Sequence, residues 1–463
     1  MSESRLLACP EEIVFKIAGE VLKASSQYGS KIEWEEYLED SDDCDMIYKP
    51  PEQPILQLRL VHPVLNRIAT PVLAKAWFSE RRVILNKHSL EALLKISRHP
   101  IFGPAVRTLI IVPECLRDEP VSNWFCRDKE AYFAAVKHQK YMMTSGLNTT
   151  YIADALASFS NWENLKAVVI GMDSESDHKR AWGSITLERK VGDQVRRGVF
   201  TYESEGVDFT TDTIRAVILA IAKTRISLNR FAIRIDEWDC WRQGNYPEGS
   251  YSPIFRREEP LTDYIRDHPL NASSVELSIP KWFHRGQSMI DEWVSDKLEF
   301  LGHFNEIRAL DLHFEEFISR NDDGPRVEKL FQAISLPHLK TLSLGGFDCY
   351  MADLFSFLVV HKVKLQEVHF KDVVLLTGNT DPGFDDWQHL LIRVIKELPS
   401  IKKATMRHCK DLRRSNPRCG AYMHQGLYCS KCGPWYQAEW AFGDRGHTEE
   451  DIIRDLPKKA LRY

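Results

Sequence analysis

Two segments near the start of the chain carry the four-residue spacing of amphipathic helices. In the first, Ile13, Ile17 and Val21 recur behind Pro10. The fixed φ and missing N–H of Pro10 suit a helix start, and Glu11 and Glu12 stand at the positive end of the helix dipole. In the second, Leu58, Val61, Leu65, Ile68 and Ala69 line one face, while Arg59, Asn66 and Arg67 point elsewhere. A helix pair this short cannot bury both apolar faces alone, so it must dock on the rest of the chain or on another protein.

Further along, the period changes from helix to strand. Seven segments share the form apolar-x-x-apolar-x-apolar: 106–111, 165–170, 228–233, 307–312, 339–344, 365–370 and 401–406, with 274–279 as a poorer eighth. Alternation within each predicts a short strand with one buried face. Helical stretches lie between them, including 89–96, 149–159, 326–334, 351–360 and 387–398. This is the strand-plus-helix form of a leucine-rich repeat, and from Ile307 onward the strands recur every 26 to 36 residues. The ninth repeat position, commonly Asn or Cys, is Phe347, Val373 and Cys409, so the side-chain ladder that satisfies loop backbone groups is incomplete and a distorted arc is expected.

With 463 residues the chain exceeds one ordinary core, and two or three domains or an extended array are expected. The pattern divides it into a helical module at 1–80 with an insert at 24–54, an array at 81–412, and a Cys- and aromatic-rich tail at 413–463. The insert carries Glu33, Glu35, Glu36, Glu39, Asp40, Asp42, Asp43, Asp45 and Glu52 against Lys31 and Lys49, and ends in Pro50, Pro51 and Pro54. That composition predicts a solvated, mobile loop. Lys and Arg total 61 against 66 acids, which gives no basic excess for phosphate backbones, so no nucleic-acid partner is expected. Apolar runs at 216–222 and 354–360 are far shorter than a bilayer span, so no membrane association is expected. The ten scattered cysteines fit reduced thiols in the cytoplasm or nucleus.

The order LLACPEEI, LRLV, LNRIATPVL resembles the F-box of fungal F-box proteins, and Leu7, Pro10, Ile13, Leu60 and Leu65 carry the match. A further family-like stretch runs from Ser89 to Ile111. The family usually joins these helices by a short loop, whereas this chain inserts Ala24 to Pro54. The resemblance implies an α/β chain in which an N-terminal F-box-like helical module precedes an irregular leucine-rich-repeat solenoid of short parallel strands and helices. It also implies docking on the Skp adaptor of cullin ubiquitin ligases through Leu7, Pro10, Ile13, Ile17, Leu58, Leu60, Val61, Leu65 and Ile68. An unidentified target protein would then lie against Lys340, Gln366, His369 and Lys403. The alternative is a non-ligase repeat scaffold whose degenerate F-box caps the array.

Candidate chemistry is sparse. Cys429 and Cys432 form a C-x-x-C pair with Cys419, Cys409, His408, His424 and His447 as further donors, but a structural zinc site usually shows a second close pair. Gly433 and Pro434 oppose the helix a thioredoxin-like site needs. Asp236, Glu237 and Asp239 beside Trp238 and Trp241 could form a carboxylate pair for sugar chemistry, though a polar loop after a strand accounts for them. No nucleophile elbow, phosphate loop, zincin helix or dinucleotide fingerprint occurs, so neither catalytic residues nor cofactors are expected.

Overall fold

In a computed structural model of the chain, the described residues are 10–29, 59–116, 129–171, 196–197, 209–234, 259–280, 300–304, 306–315, 331–332, 334–376, 386–412, 435–441 and 460–461. They form an α/β architecture: a large, mostly parallel sheet with helices packed against it.

Helix α1 (Glu11–Gly29) and helix α2 (Pro63–Trp77) come first and pack on each other through Ala18, Ala69, Val72 and Leu73, with Val21 and Trp77 alongside. Small Ala18 and Ala69, both fully buried, permit the close approach. Helix α2 starts on Pro63 behind His62, whose ring accepts the Val64 N–H. Within it Pro71 has no N–H to give, while Thr70 and Asn66 hydrogen-bond one another and both accept from the Arg59 guanidinium. Helix α1 runs to Gly29, into the segment expected as loop from Ala24. Residues 30–58, which include the rest of the acidic insert, lie outside the described residues.

Only Phe78 and Ser79 separate α2 from strand β1 (Glu80–Ile84). There the Arg81 guanidinium sits 4.1 Å over the Phe78 ring, which itself stacks on Phe102. Burial pushes the Arg81 guanidinium down to about 10, only partly offset by Glu80. The strand–helix alternation then proceeds through α3 (Lys87–Arg98), β2 (Thr108–Val112), β3 (Glu114–Cys115), α4 (Lys129–Thr144), α5 (Leu147–Ser160), β4 (Ala167–Gly171), β5 (Arg196–Arg197), α6 (Phe209–Thr224), β6 (Ser227–Arg234) and α7 (Glu259–Asp267). It continues with β7 (Asn271–Pro280), β8 (Ala309–Glu315), β9 (Thr341–Gly345), β10 (Asp348–Tyr350), α8 (Met351–Val360), β11 (Glu367–Lys371), β12 (Val374–Leu376), α9 (Asp386–Glu397), β13 (Lys403–Leu412), β14 (Trp435–Ala441) and β15 (Ala460–Leu461). Local chemistry sets these boundaries. Asn86, for example, caps α3 by accepting the Ser89 N–H at 2.7 Å, and Lys95 and Arg98 close its last turn.

The sheet order is β1-β2-β4-β6-β7-β8-β9-β11-β13, all parallel, so each principal strand lies beside its predecessor in the chain. All eight segments with the alternating form are in this row. The helices cover one face. Leu109, Val168, Phe231, Val275, Leu310, Leu342, Val368 and Ala404 project into one continuous core beneath them. The opposite face changes character along the sheet. Over β1, β2, β4 and at Ala232 of β6 it is apolar and buried, through Ile84, Ile110, Val112, Val169 and Ala232, which is why TLIIV and AVVIG read as unbroken apolar runs. From β7 onward it is polar, and TLSLG and EVHFK alternate.

Phe347, Val373 and Cys409, expected at the place of a polar side-chain ladder, are fully buried, with Phe347 edge-on to Phe331 at 5.6 Å between ring centres. No polar ladder is needed there, because a second, shorter parallel ladder follows the main strands: β10 pairs with β12, and β12 with the end of β13. Val374 N–H donates to the Phe347 carbonyl and Asp372 N–H to the Arg407 carbonyl. The chain turns between the two ladders through left-handed Gly346 (φ 73) and Asp372 (φ 55), positions that favour Gly, Asn and Asp.

Within the segment 413–463, expected as a tail, β14 joins the sheet antiparallel to β13 and β15 pairs with β14.

Candidate functional site

Two surfaces stand out. The first is on the helix pair. A helix turn of 100° per residue puts Val14, Ala18 and Val21 on one stripe, and this stripe, not Ile13 and Ile17, faces α2. Ile13 is left 43 % exposed, with Ile17 beside it, and Phe15 is uncovered on the other flank. Ahead of α2, Leu60 is 86 % and Val61 71 % exposed. These large apolar groups would ordinarily be covered in an isolated globular chain.

Of the residues expected to grip an adaptor, Pro10, Ile13, Ile17, Leu60 and Val61 are therefore at the surface. Leu65 and Ile68 are each only 3 % exposed and belong to the interior. They are among the buried residues of α2, along with Ala69 and Val72. Leu7 and Leu58 lie outside the described residues.

The second surface is the polar half of the open sheet face. Strand register arranges its outward side chains in rows, with neighbours about 4.8 Å apart. The middle row runs Glu276, Asp311, Ser343, His369, Thr405. Arg230 and Arg234 on β6 both grip Glu276: Arg230 Nε donates to Oε2 at 3.1 Å and Arg234 Nε to Oε1 at 2.5 Å. Burial raises the Glu276 carboxyl, but the two guanidinium groups outweigh it and hold it below the ordinary range. Asp311 goes the other way, pushed up by burial and by the Glu276 charge next to it, and eased by a hydrogen bond from Ser343. Farther along, His369 Nδ1 lies 2.6 Å from Thr405 Oγ1 and its Nε2 lies 3.5 Å from Glu367.

Asp311, Ser343 and His369 thus occupy adjacent strands without forming a charge relay. The serine lies between acid and imidazole and gives its proton to the acid, whereas nucleophilic activation needs the imidazole in the middle.

The next row, toward the strands' C-terminal ends, runs Arg234, Ser278, His313, Gly345, Lys371, Arg407. Gly345 has a steric purpose: a Cβ there would lie 2.3 Å from His313 Nδ1 and 2.9 Å from the Lys371 carbonyl oxygen. The His313 ring thus leans across β9. Burial, then the Lys371 charge, push its pKa down, and Asp372 and Glu276 offset this only in part.

Of the four residues expected to meet a target, His369 and Lys403 are half-buried on this open face. Lys340 and Gln366 are exposed but stand just ahead of their strands, where Gln366 N–H donates to the Lys340 carbonyl at 2.7 Å. They form an edge, not the face. Arg230, Arg234, Glu276, Asp311 and His313 were not singled out from sequence. Their signal was the polar residue at alternate positions within RFAIR, VEL and LDLH.

Cys419, Cys429, Cys432, His424 and His447, together with the carboxylates around Trp238, lie outside the described residues. Among the described residues no group of three or more His, Cys, Asp or Glu side chains is placed to hold a metal ion. No helix among them is long and apolar enough to cross a membrane. No protein-family model matches the chain, and no curated protein matches it significantly.

Proposed function

We propose that the chain is the substrate-recognition subunit of a Skp/cullin-type ubiquitin ligase: α1 and α2 act as an F-box and the strand–helix array is an irregular leucine-rich-repeat domain that holds the target. The observation that carries this reading is the set of large apolar side chains left at the surface of a two-helix module, Ile13, Ile17, Leu60 and Val61, directly ahead of the sheet. They are the positions that the F-box resemblance assigns to the adaptor. The chemistry is proximity. The receptor raises the local concentration of the target near a ubiquitin-charged enzyme and supplies no reacting group.

The test is co-purification of the full chain with the Skp adaptor, for wild type and for Ile13→Asp combined with Leu60→Asp. Both positions are exposed, so the variant should fold. Capture by wild type and loss in the variant supports the reading. If wild type captures no adaptor, the F-box role fails and a repeat scaffold takes its place.

A further inference from the structure

The open face is electrically uneven. On its β6–β8 side the cations are spent internally, since Arg230 and Arg234 both bind Glu276. On its β11–β13 side, Lys371 and Arg407 are direct register partners, both exposed, and neither makes an ion pair among the described residues. Gly345, beside Lys371 in the same row, carries no side chain, and the His313 ring lies across it. The result is a patch on which an imidazole lies beside two adjacent cations, on a chain whose net charge is −5. Two cations on neighbouring strands, whose backbones run about 4.8 Å apart, can share a carboxylate or hold two successive ones.

We propose that this patch binds an acidic segment of a partner protein, whose carboxylates pair with Lys371 and Arg407. The partner class rests on charge complementarity, and the inference deepens the target-recognition reading above by naming the chemistry of the target.

The probe is a fluorescein-labelled peptide of alternating Glu and Ser, with a Gln-for-Glu counterpart, followed by fluorescence anisotropy on the full chain at low salt. Wild type should bind the Glu peptide and not the Gln peptide, and added salt should weaken binding as screening shortens the reach of the charges. Lys371→Glu with Arg407→Glu should weaken binding by about tenfold or more, because two contacts are lost and two repulsions gained. Lys95→Glu with Arg98→Glu, exposed on α3, changes net charge equally and should leave binding unchanged. The proposal is overturned if wild type ignores the Glu peptide, if Lys371→Glu/Arg407→Glu binds like wild type, or if the α3 variant loses as much. Unchanged thermal unfolding of the variants excludes misfolding as the cause. Adaptor capture, measured on the same proteins, reports separately on the receptor reading: the Lys371→Glu/Arg407→Glu protein should retain it.

Discussion

Replacing Phe347 by Asn, the residue a regular array would carry at that position, should damage the fold. Phe347 is fully buried, with its ring edge-on to Phe331. Removing most of an aromatic ring from such a site costs about 3–5 kcal/mol in transfer and cavity terms. The incoming amide meets no waiting backbone groups, since the Phe347 carbonyl already accepts the Val374 N–H in the β10–β12 ladder. Leaving a buried amide unsatisfied adds about 1–3 kcal/mol. The total, on the order of 5 kcal/mol, is a large part of the roughly 5–15 kcal/mol by which domains are stable. Urea titration followed by far-UV circular dichroism measures it, with Phe347→Leu as a control expected to cost about 1 kcal/mol. An Asn variant within about 1 kcal/mol of wild type would refute the reasoning, because it would mean that the turn holds unmet polar groups.

Asp311→Asn should stabilise the protein at neutral pH: burial and Glu276 raise the folded-state pKa of Asp311, so its charge opposes folding wherever the unfolded side chain is ionised. As pH falls through the raised pKa toward the unfolded value of about 3.9 the folded carboxyl takes up a proton, and the variant's advantage over wild type should shrink toward zero in urea titrations across that range. Gly345→Ala should cost about 1–3 kcal/mol from the clash with His313 and the Lys371 carbonyl. Adding His313→Ala should recover part of that loss, and a double-mutant cycle with no coupling would sink the steric account. Leu65→Lys should unfold the helix pair, visible as lost helical signal and protease sensitivity, whereas Leu60→Lys should not, since only Leu65 is buried.

How far the sequence reveals this structure depends on the period involved. Strand alternation at the eight segments was legible because one face of each is core and the residues there are apolar, from Leu, Ile, Val and Phe to Ala404 and Met406. Strand β1 was not, because Glu80, Arg81 and Arg82 disguise it; Arg82 is buried beside Glu80 at the sheet edge. The three-residue β10 and β12 are too short for any period to show. On α1 the period was legible but the packed face was not: Ile13-Ile17-Val21 and Val14-Ala18-Val21 have similar spacing, and only packing against α2 decides which is inward. The open face was legible as polar positions, but the pairing of Arg230 and Arg234 with Glu276 depends on the register of β6 and β7, which no local pattern encodes.

Because each principal strand lies beside the one made just before it, the growing chain can lay down its sheet in the order in which it leaves the ribosome, every new strand finding its template already in place. Strand β14 ends that growth. It runs backward along β13 and occupies its free hydrogen-bonding edge, so until β14 is synthesised the nascent protein carries an open parallel edge on which another chain could add. A message truncated after Leu412 would make that transient hazard permanent.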